Sequence, residues 1–332
     1  MWQCKKSHSA LPVIPPQIIT EQTPYDSDDP AIWIHPNDPS KSIVYGTDKD
    51  TQGGVYAFDL QGKILWDRSI TDVARPNNVD IEYGFTLNDS LSTDLLVFTE
   101  RERQRIRIYS LPDLTPLDGG GLAVFEDEEL LGNRLPMGLA LYKNSESQKV
   151  YAVVGRKTGP SGSYLHQYEF IYNTDATQIE LGPARKFGTF SGEKEIEAIA
   201  VDNEKGIIYY SDEGVCIRVY SAKVEDGNQE LACFGGEFFR EDIEGIAIAK
   251  TNGKTYLLVS DQQAGEFVVF NAADHSYVHR FNLGTQETDG CEVTTASLGP
   301  QFPEGLFVAM NDNRNFYFYD WGPLRDSISK AP

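Results

Sequence analysis

The sequence predicts an all-β protein, a six-bladed β-propeller closed by an N-terminal strand. Three observations carry this. Six segments open alike: Asp28-Asp29-Pro30-Ala31-Ile32-Trp33, Asn78-Val79-Asp80-Ile81-Glu82-Tyr83, Pro136-Met137-Gly138-Leu139-Ala140-Leu141, Ile196-Glu197-Ala198-Ile199-Ala200-Val201, Asp242-Ile243-Glu244-Gly245-Ile246-Ala247 and Asp289-Gly290-Cys291-Glu292-Val293-Thr294. Their starts lie 46 to 60 residues apart, a spacing at which sheet repeats build propeller blades. Each opening is followed by a near-continuous apolar run and then by an alternating one, as a strand buried on both faces and a strand with a wetter face should read. Seventeen Tyr, seventeen Phe and 29 Gly suit many short strands joined by tight turns.

The elements follow in chain order. Residues 1–10 read as a tail. Cys4 followed by a polar, Pro-containing stretch resembles the processed end of a bacterial lipoprotein, and a fortuitous Cys is the alternative; the start lacks a signal-type apolar region. Residues 11–325 form a single propeller. Within it, 11–20 precede the first repeat and supply the outer strand of the last blade, with prolines suited to an edge. The buried second strands fall at 43–48, 95–100, 150–155, 207–212, 256–261 and 306–311, and most end in a polar or acidic residue. The alternating third strands fall at 55–58, 105–109, 165–168, 217–220, 267–270 and 316–319. The sixth repeat runs out of chain after its third strand, which is why 11–20 must complete it. Residues 326–332 read as a C-terminal tail, and no helix longer than a few turns is expected. No segment is long and apolar enough to cross a bilayer as a helix. Of the four cysteines, Cys216 and Cys233 fall in one blade and could pair in an oxidising compartment; isolated buried thiols are the alternative.

The charge pattern points to function. The net charge of -21 repels nucleic acid and anionic membranes. A general solubilising surface leaves unexplained why acids recur at blade starts, where they converge on the axis: Asp28, Asp29, Asp80, Glu82, Glu197, Asp242, Glu244, Asp289 and Glu292, joined by Glu213. Converging carboxylates repel and raise one another's pKa. Hard oxygen ligands with no zinc-like histidine or cysteine spacing point to Ca2+. A structural hydrogen-bond network is the alternative. Bases stand near second-strand ends: Lys49, Arg101, Arg103, Arg156 and Lys157. Cations beside bound metal suit a phosphate, and local salt bridging is the alternative.

These residues reach a known family. The chain resembles the β-propeller phytases, calcium-dependent phosphatases of myo-inositol hexakisphosphate, in a form divergent from the Bacillus type. The resemblance rests on Asp28-Asp29-Pro30-Ala31-Ile32-Trp33-Ile34-His35-Pro36, then Asn77-Asn78-Val79-Asp80-Ile81, Asp242-Ile243-Glu244-Gly245, Glu287-Thr288-Asp289-Gly290 and Leu298-Gly299-Pro300-Gln301-Phe302-Pro303. It implies that Asp28, Glu197, Glu213 and Glu244 hold a catalytic calcium cluster. It implies that Asp242 and Gln262 bind a neighbouring calcium. Asp29, with the carbonyls of Pro30 and Val79, would hold a stabilising calcium, and Asp289 and Asn311 a structural one. Lys49, Arg101 and Lys157, with Arg156 beside them, would grip the substrate phosphate. A calcium-bridged water or hydroxide would then attack phosphorus without a phosphoenzyme. Three departures stand out: Met137 replaces a Tyr ligand, Asp50 replaces a second base, and the loop around Asp289 is shorter.

The resemblance implies a 3-phytase acting on phytate or calcium–phytate. A calcium-dependent lactonase or esterase propeller, or a binding propeller, is the alternative. Histidine acid phosphatases need Arg-His-Gly and a His-Asp pair, which are absent, and Cys233 has Arg240 at the wrong spacing for a cysteine phosphatase. No P-loop or nucleophile elbow occurs. A monomer is expected, secreted, periplasmic or anchored at the outer surface of a bacterium through Cys4.

Overall fold

The computed structural model describes residues 11–330; Cys4 and the rest of the expected N-terminal tail lie outside them. Six antiparallel sheets form the propeller. Their inner strands are Ser27–Trp33, Pro76–Asn88, Pro136–Lys143, Ile199–Asp202, Ile243–Thr251 and Cys291–Thr294. The second strands are Ile43–Asp48, Leu91–Glu100, Val150–Arg156, Ile207–Asp212, Lys254–Asp261 and Leu306–Asn311. Third strands follow at Val55–Phe58, Arg105–Leu111, Leu165–Asn173, Cys216–Ser221, Glu266–Asn271 and Asn315–Asp320. The outer strands vary most. Blade 1 has only isolated bridges there, Phe58 to Ile64 and Val55 to Ile70. Blade 3 divides its outer edge between Gln178–Leu181 and Arg185–Phe187.

Blade 6 is completed by Ile18–Ile19, with Ile18 opposite Phe318 and Ile19 opposite Tyr317. The N-terminal segment therefore closes the ring, as the sequence predicts. It also stitches to blade 5, where Ile14 N donates to Asn282 O at 2.8 Å.

There is no single core. Six apolar clusters lie one between each pair of neighbouring blades. Adjacent residues of a second strand point to opposite clusters: Val44 joins the cluster toward blade 6, Tyr45 the one toward blade 2. That explains the unbroken apolar runs, and it leaves the axis free for polar groups. Two glycines allow the inner strands to meet there. A Cβ on Gly245 would lie 2.8 Å from Asp289 O, and one on Gly290 would lie 2.6 Å from Asp29 Cα.

Two features depart from or extend the expectations. The C-terminal helix Trp321–Ser329 runs past residue 325 into 326–332, the stretch expected as a tail. Asp320 caps it, and Trp321, Leu324 and Ile328 are buried between blades 5 and 6. In blade 4, Cys216 and Cys233 form a disulfide with Cα atoms 5.7 Å apart, tying the third strand to the outer strand Glu230–Phe234.

Candidate active site at the mouth of the axis

Antiparallel pairing decides where the site lies. The start of each inner strand sits beside the end of its second strand: Ser27 opposite Asp48, Pro76 opposite Glu100, Pro136 opposite Arg156, Ile243 opposite Asp261. Residues from both places therefore share one face of the ring.

The acids that end the second strands are structural. Asp48 accepts from Tyr25 N and Asp26 N at 2.8 and 2.9 Å. Glu100 accepts from Ala74 N at 2.9 Å, Asp212 from Ser191 N at 2.9 Å, and Asp261 from Arg240 N at 3.1 Å. Each pins the loop that leads into its own blade. Asn311 does the same in blade 6: its Oδ1 accepts from Gln286 N at 3.0 Å and its Nδ2 donates to Asn315. Its amide thus holds a loop of blade 6, with one lone pair of Oδ1 engaged.

Six of the predicted residues, Asp28, Lys49, Glu197, Asp242, Gln262 and Asp289, belong to one connected network. Asp242 accepts from Gln263 Nε2 at 2.6 Å, which also donates to Gln262 Oε1 at 2.8 Å. Gln262 donates to Asp289 Oδ1 at 2.5 Å. Lys49 pairs with Asp289 and, at 3.0 Å, with Asp28. Asn77 Nδ2 then bridges Asp28 at 3.2 Å and Glu197 at 3.3 Å. Five blades contribute to this chain of contacts. Beside it, carboxylate oxygens of Glu195, Glu197 and Glu213 lie within 4.8 Å of one another. Lys157 pairs with Glu195, and Lys194 pairs with Asp242.

Burial drives the electrostatics. It pushes Glu197 up to about 8, with Asp28 adding and Lys49 opposing, and Glu213 to about 7, with Glu195 and Asp242 adding. Glu244 is raised well above the carboxylate range by burial and then by Glu213 and Glu197, and its Oε2 has no partner. Asp289 is raised to about 6 by burial, opposed by Lys49.

Below the mouth lies a cavity of about 200 Å³ on the axis, lined in part by Asp29, Pro30, Val79, Asp80, Glu82 and Glu292. Asp29 Oδ2 accepts from Val79 N at 3.1 Å, and burial raises its pKa strongly. Burial likewise takes Asp80 to about 7 and Glu292 to about 8. The predicted trio Asp29, Pro30 and Val79 is thus brought together, apart from the mouth network.

The bases divide. Lys49 and Lys157 face the acids, and Arg101 is buried with Glu197 as its foremost neighbouring charge. Arg103 instead pairs with Glu100 at 2.9 Å. Arg156 corrects the expectation of a substrate contact. It is wholly buried, bonded to Glu128 at 2.6 Å and to the carbonyls of Asn133, Tyr164 and Ser163, and lies over the Phe125 ring. Met137 is buried, and its carbonyl accepts from Thr99. Glu195 was missed by sequence reasoning; its signal is the spacing Glu195-Ile196-Glu197, which places both acids on one side of an extended chain.

The mouth can hold hard cations. All its candidate donors are oxygens, several carboxylates converge, and one of them is buried without a partner, an arrangement that is costly unless a cation or proton compensates. Fold and mouth together define a propeller that gathers carboxylates and basic side chains at one end of its axis. The family described as Phytase matches residues 16–318, and the chain belongs to it. The chain is also 28% identical over 331 residues to the 3-phytase of Bacillus subtilis (strain 168), an alignment covering 92% of this chain and 82% of that protein.

Proposed function

We propose that the protein is a calcium-dependent phytase of the 3-phytase type, releasing phosphate from myo-inositol hexakisphosphate. The observation that carries this is the juxtaposition at the mouth of Asp28, Glu197, Glu213 and Glu244 with Lys49, Arg101 and Lys157. The four acids, with Glu195, would hold the catalytic ions; Asp242, Gln262 and Asp289 would hold a neighbouring one, and Asp29 with Pro30 and Val79 the axial one. Bound calcium supplies Lewis-acid polarisation and an acidified water as nucleophile, so that no phosphoenzyme is required.

The chain's own residues do the rest. Arg101 and the two lysines bind and orient the phosphate. Lys49 pairs with Asp28 and Asp289, and Lys157 with Glu195; with those acids engaged by calcium, both lysines would be free to bind the substrate. Burial holds the Cys291 thiol well above its ordinary pKa, which supports water rather than a thiol as nucleophile. The Cys216–Cys233 disulfide supports a location outside a reducing cytoplasm, on a monomeric protein that is secreted, periplasmic or anchored through Cys4.

The test is phosphate release from phytate by chelator-stripped protein, with and without Ca2+. Release only with Ca2+ is expected, and its loss in the Lys49→Ala, Arg101→Ala double variant. Full turnover after exhaustive chelation sinks the calcium mechanism. Ester or lactone hydrolysis that survives the double variant, with no phosphate release, replaces phytase by another propeller hydrolase.

A further inference from the structure

The chain has fourteen arginines. Among the described residues, twelve donate to a carboxylate, amide or carbonyl oxygen. The other two, Arg75 and Arg101, have no such partner, and the Nε of each is buried and unbonded. They are also neighbours: Arg101 N donates to Arg75 O at 3.1 Å. Burial lowers the pKa of Arg101, Glu197 opposes this, and the charge of Arg75 lowers it further. Carboxylates stand near Arg101, with Glu197 foremost and then Asp28 and Glu195, yet none is hydrogen-bonded to either guanidinium, so the donors of both remain open. Arg75 further adopts φ +57, in the left-handed region that residues other than glycine enter uncommonly. Such strain persists where surrounding structure holds it, often at binding sites. Arg75 directly precedes Pro76-Asn77, and Asn77 is bonded to Asp28 and Glu197, so it stands at the mouth.

We propose that Arg75 is a substrate-positioning residue that, together with Arg101, clamps a phosphate group at the mouth. This rests on the phosphatase reading above for its substrate, though not for its ligand class. Two planar guanidiniums offer parallel N–H donors to the oxygens of one phosphate, the geometry for which arginine is better suited than lysine. The anion supplies the hydrogen-bond acceptors that the two guanidiniums lack, and its charge offsets their mutual repulsion.

The test uses Arg75→Ala and Arg75→Lys, with inorganic phosphate titrated calorimetrically into the protein both stripped of and loaded with Ca2+. Arg75→Ala is expected to weaken phosphate binding about tenfold or more, and Arg75→Lys to recover part of it. On phytate, KM should rise by about the same factor while kcat changes less. The thermal midpoint should stay level or rise, because Arg75 gives up no partner and alanine bears the same left-handed backbone cost. Unchanged phosphate affinity in Arg75→Ala overturns the clamp. So does absence of phosphate binding by the unaltered protein in both states, or a drop in midpoint large enough to account for weaker binding. Phosphate binding that depends on Arg75, without phytate hydrolysis, leaves the clamp standing and overturns the phytase reading. Hydrolysis undiminished in Arg75→Ala does the reverse.

Discussion

At the scale of the residue, the mouth and axial carboxyls are governed by burial without enough countercharge. Glu197 and Glu292 are carried from an ordinary 4.5 to about 8, and Asp80 from 3.8 to about 7. The folded state therefore keeps protons that the unfolded chain has released. Stability without cations must then fall as pH rises from the unfolded values through the folded ones. The expected result is a thermal midpoint for chelator-stripped protein that drops by several degrees between about pH 5 and about pH 8. A midpoint that climbs over that interval contradicts the sign. The same scale shows where sequence reading stops. Arg156 and Lys157 are adjacent and both basic, yet strand alternation sends one into the blade and the other to the mouth. Charge alone could not separate them, because the partners of Arg156 are mostly backbone carbonyls brought in by folding.

At the scale of the element, the strands were legible because their periodicity is imposed by packing between blades. Every predicted second and third strand is present, and the N-terminal segment closes blade 6. The C-terminal helix was not legible. Its nine residues include Gly322 and Pro323, and only packing against blades 5 and 6 makes so short a helix stable. The acids that end the second strands were visible as residues, but their role in pinning loops emerges only from hydrogen bonds to backbone far away in sequence. The disulfide of blade 4 makes a prediction at this scale. It links cysteines 17 residues apart, a loop for which chain-entropy reasoning gives about 3 kcal/mol. The Cys216→Ser, Cys233→Ser double variant should unfold at a lower denaturant midpoint with an equal or slightly steeper slope, because its unfolded chain is less constrained, and reductant should shift only the unaltered protein. Coincident unfolding curves for both proteins refute this.

At the scale of the whole molecule, six separate apolar clusters hold a ring around a polar axis. Carboxylates line that axis, so cations bound there, as proposed, would couple to the stability of every blade they touch. Ions that bind only the folded chain stabilise it by mass action, about 2.7 kcal/mol at a hundredfold excess over Kd. Calcium should raise the thermal midpoint of the stripped protein, and by more at about pH 8 than at about pH 5, where protons already neutralise the acids. An unchanged midpoint at both pH values counts against ions at the mouth and the axis alike. The closing strand has a further consequence, for biosynthesis. Ile18 and Ile19 are made before any of the second strands, whereas their partners Phe318 and Tyr317 lie in the third strand of the sixth sheet. While the residues between them are being made, the ring is open and this closing segment has no place to dock. The ring's first strand is the last to be set, and the final blade is complete only once Asn315–Asp320 has been made.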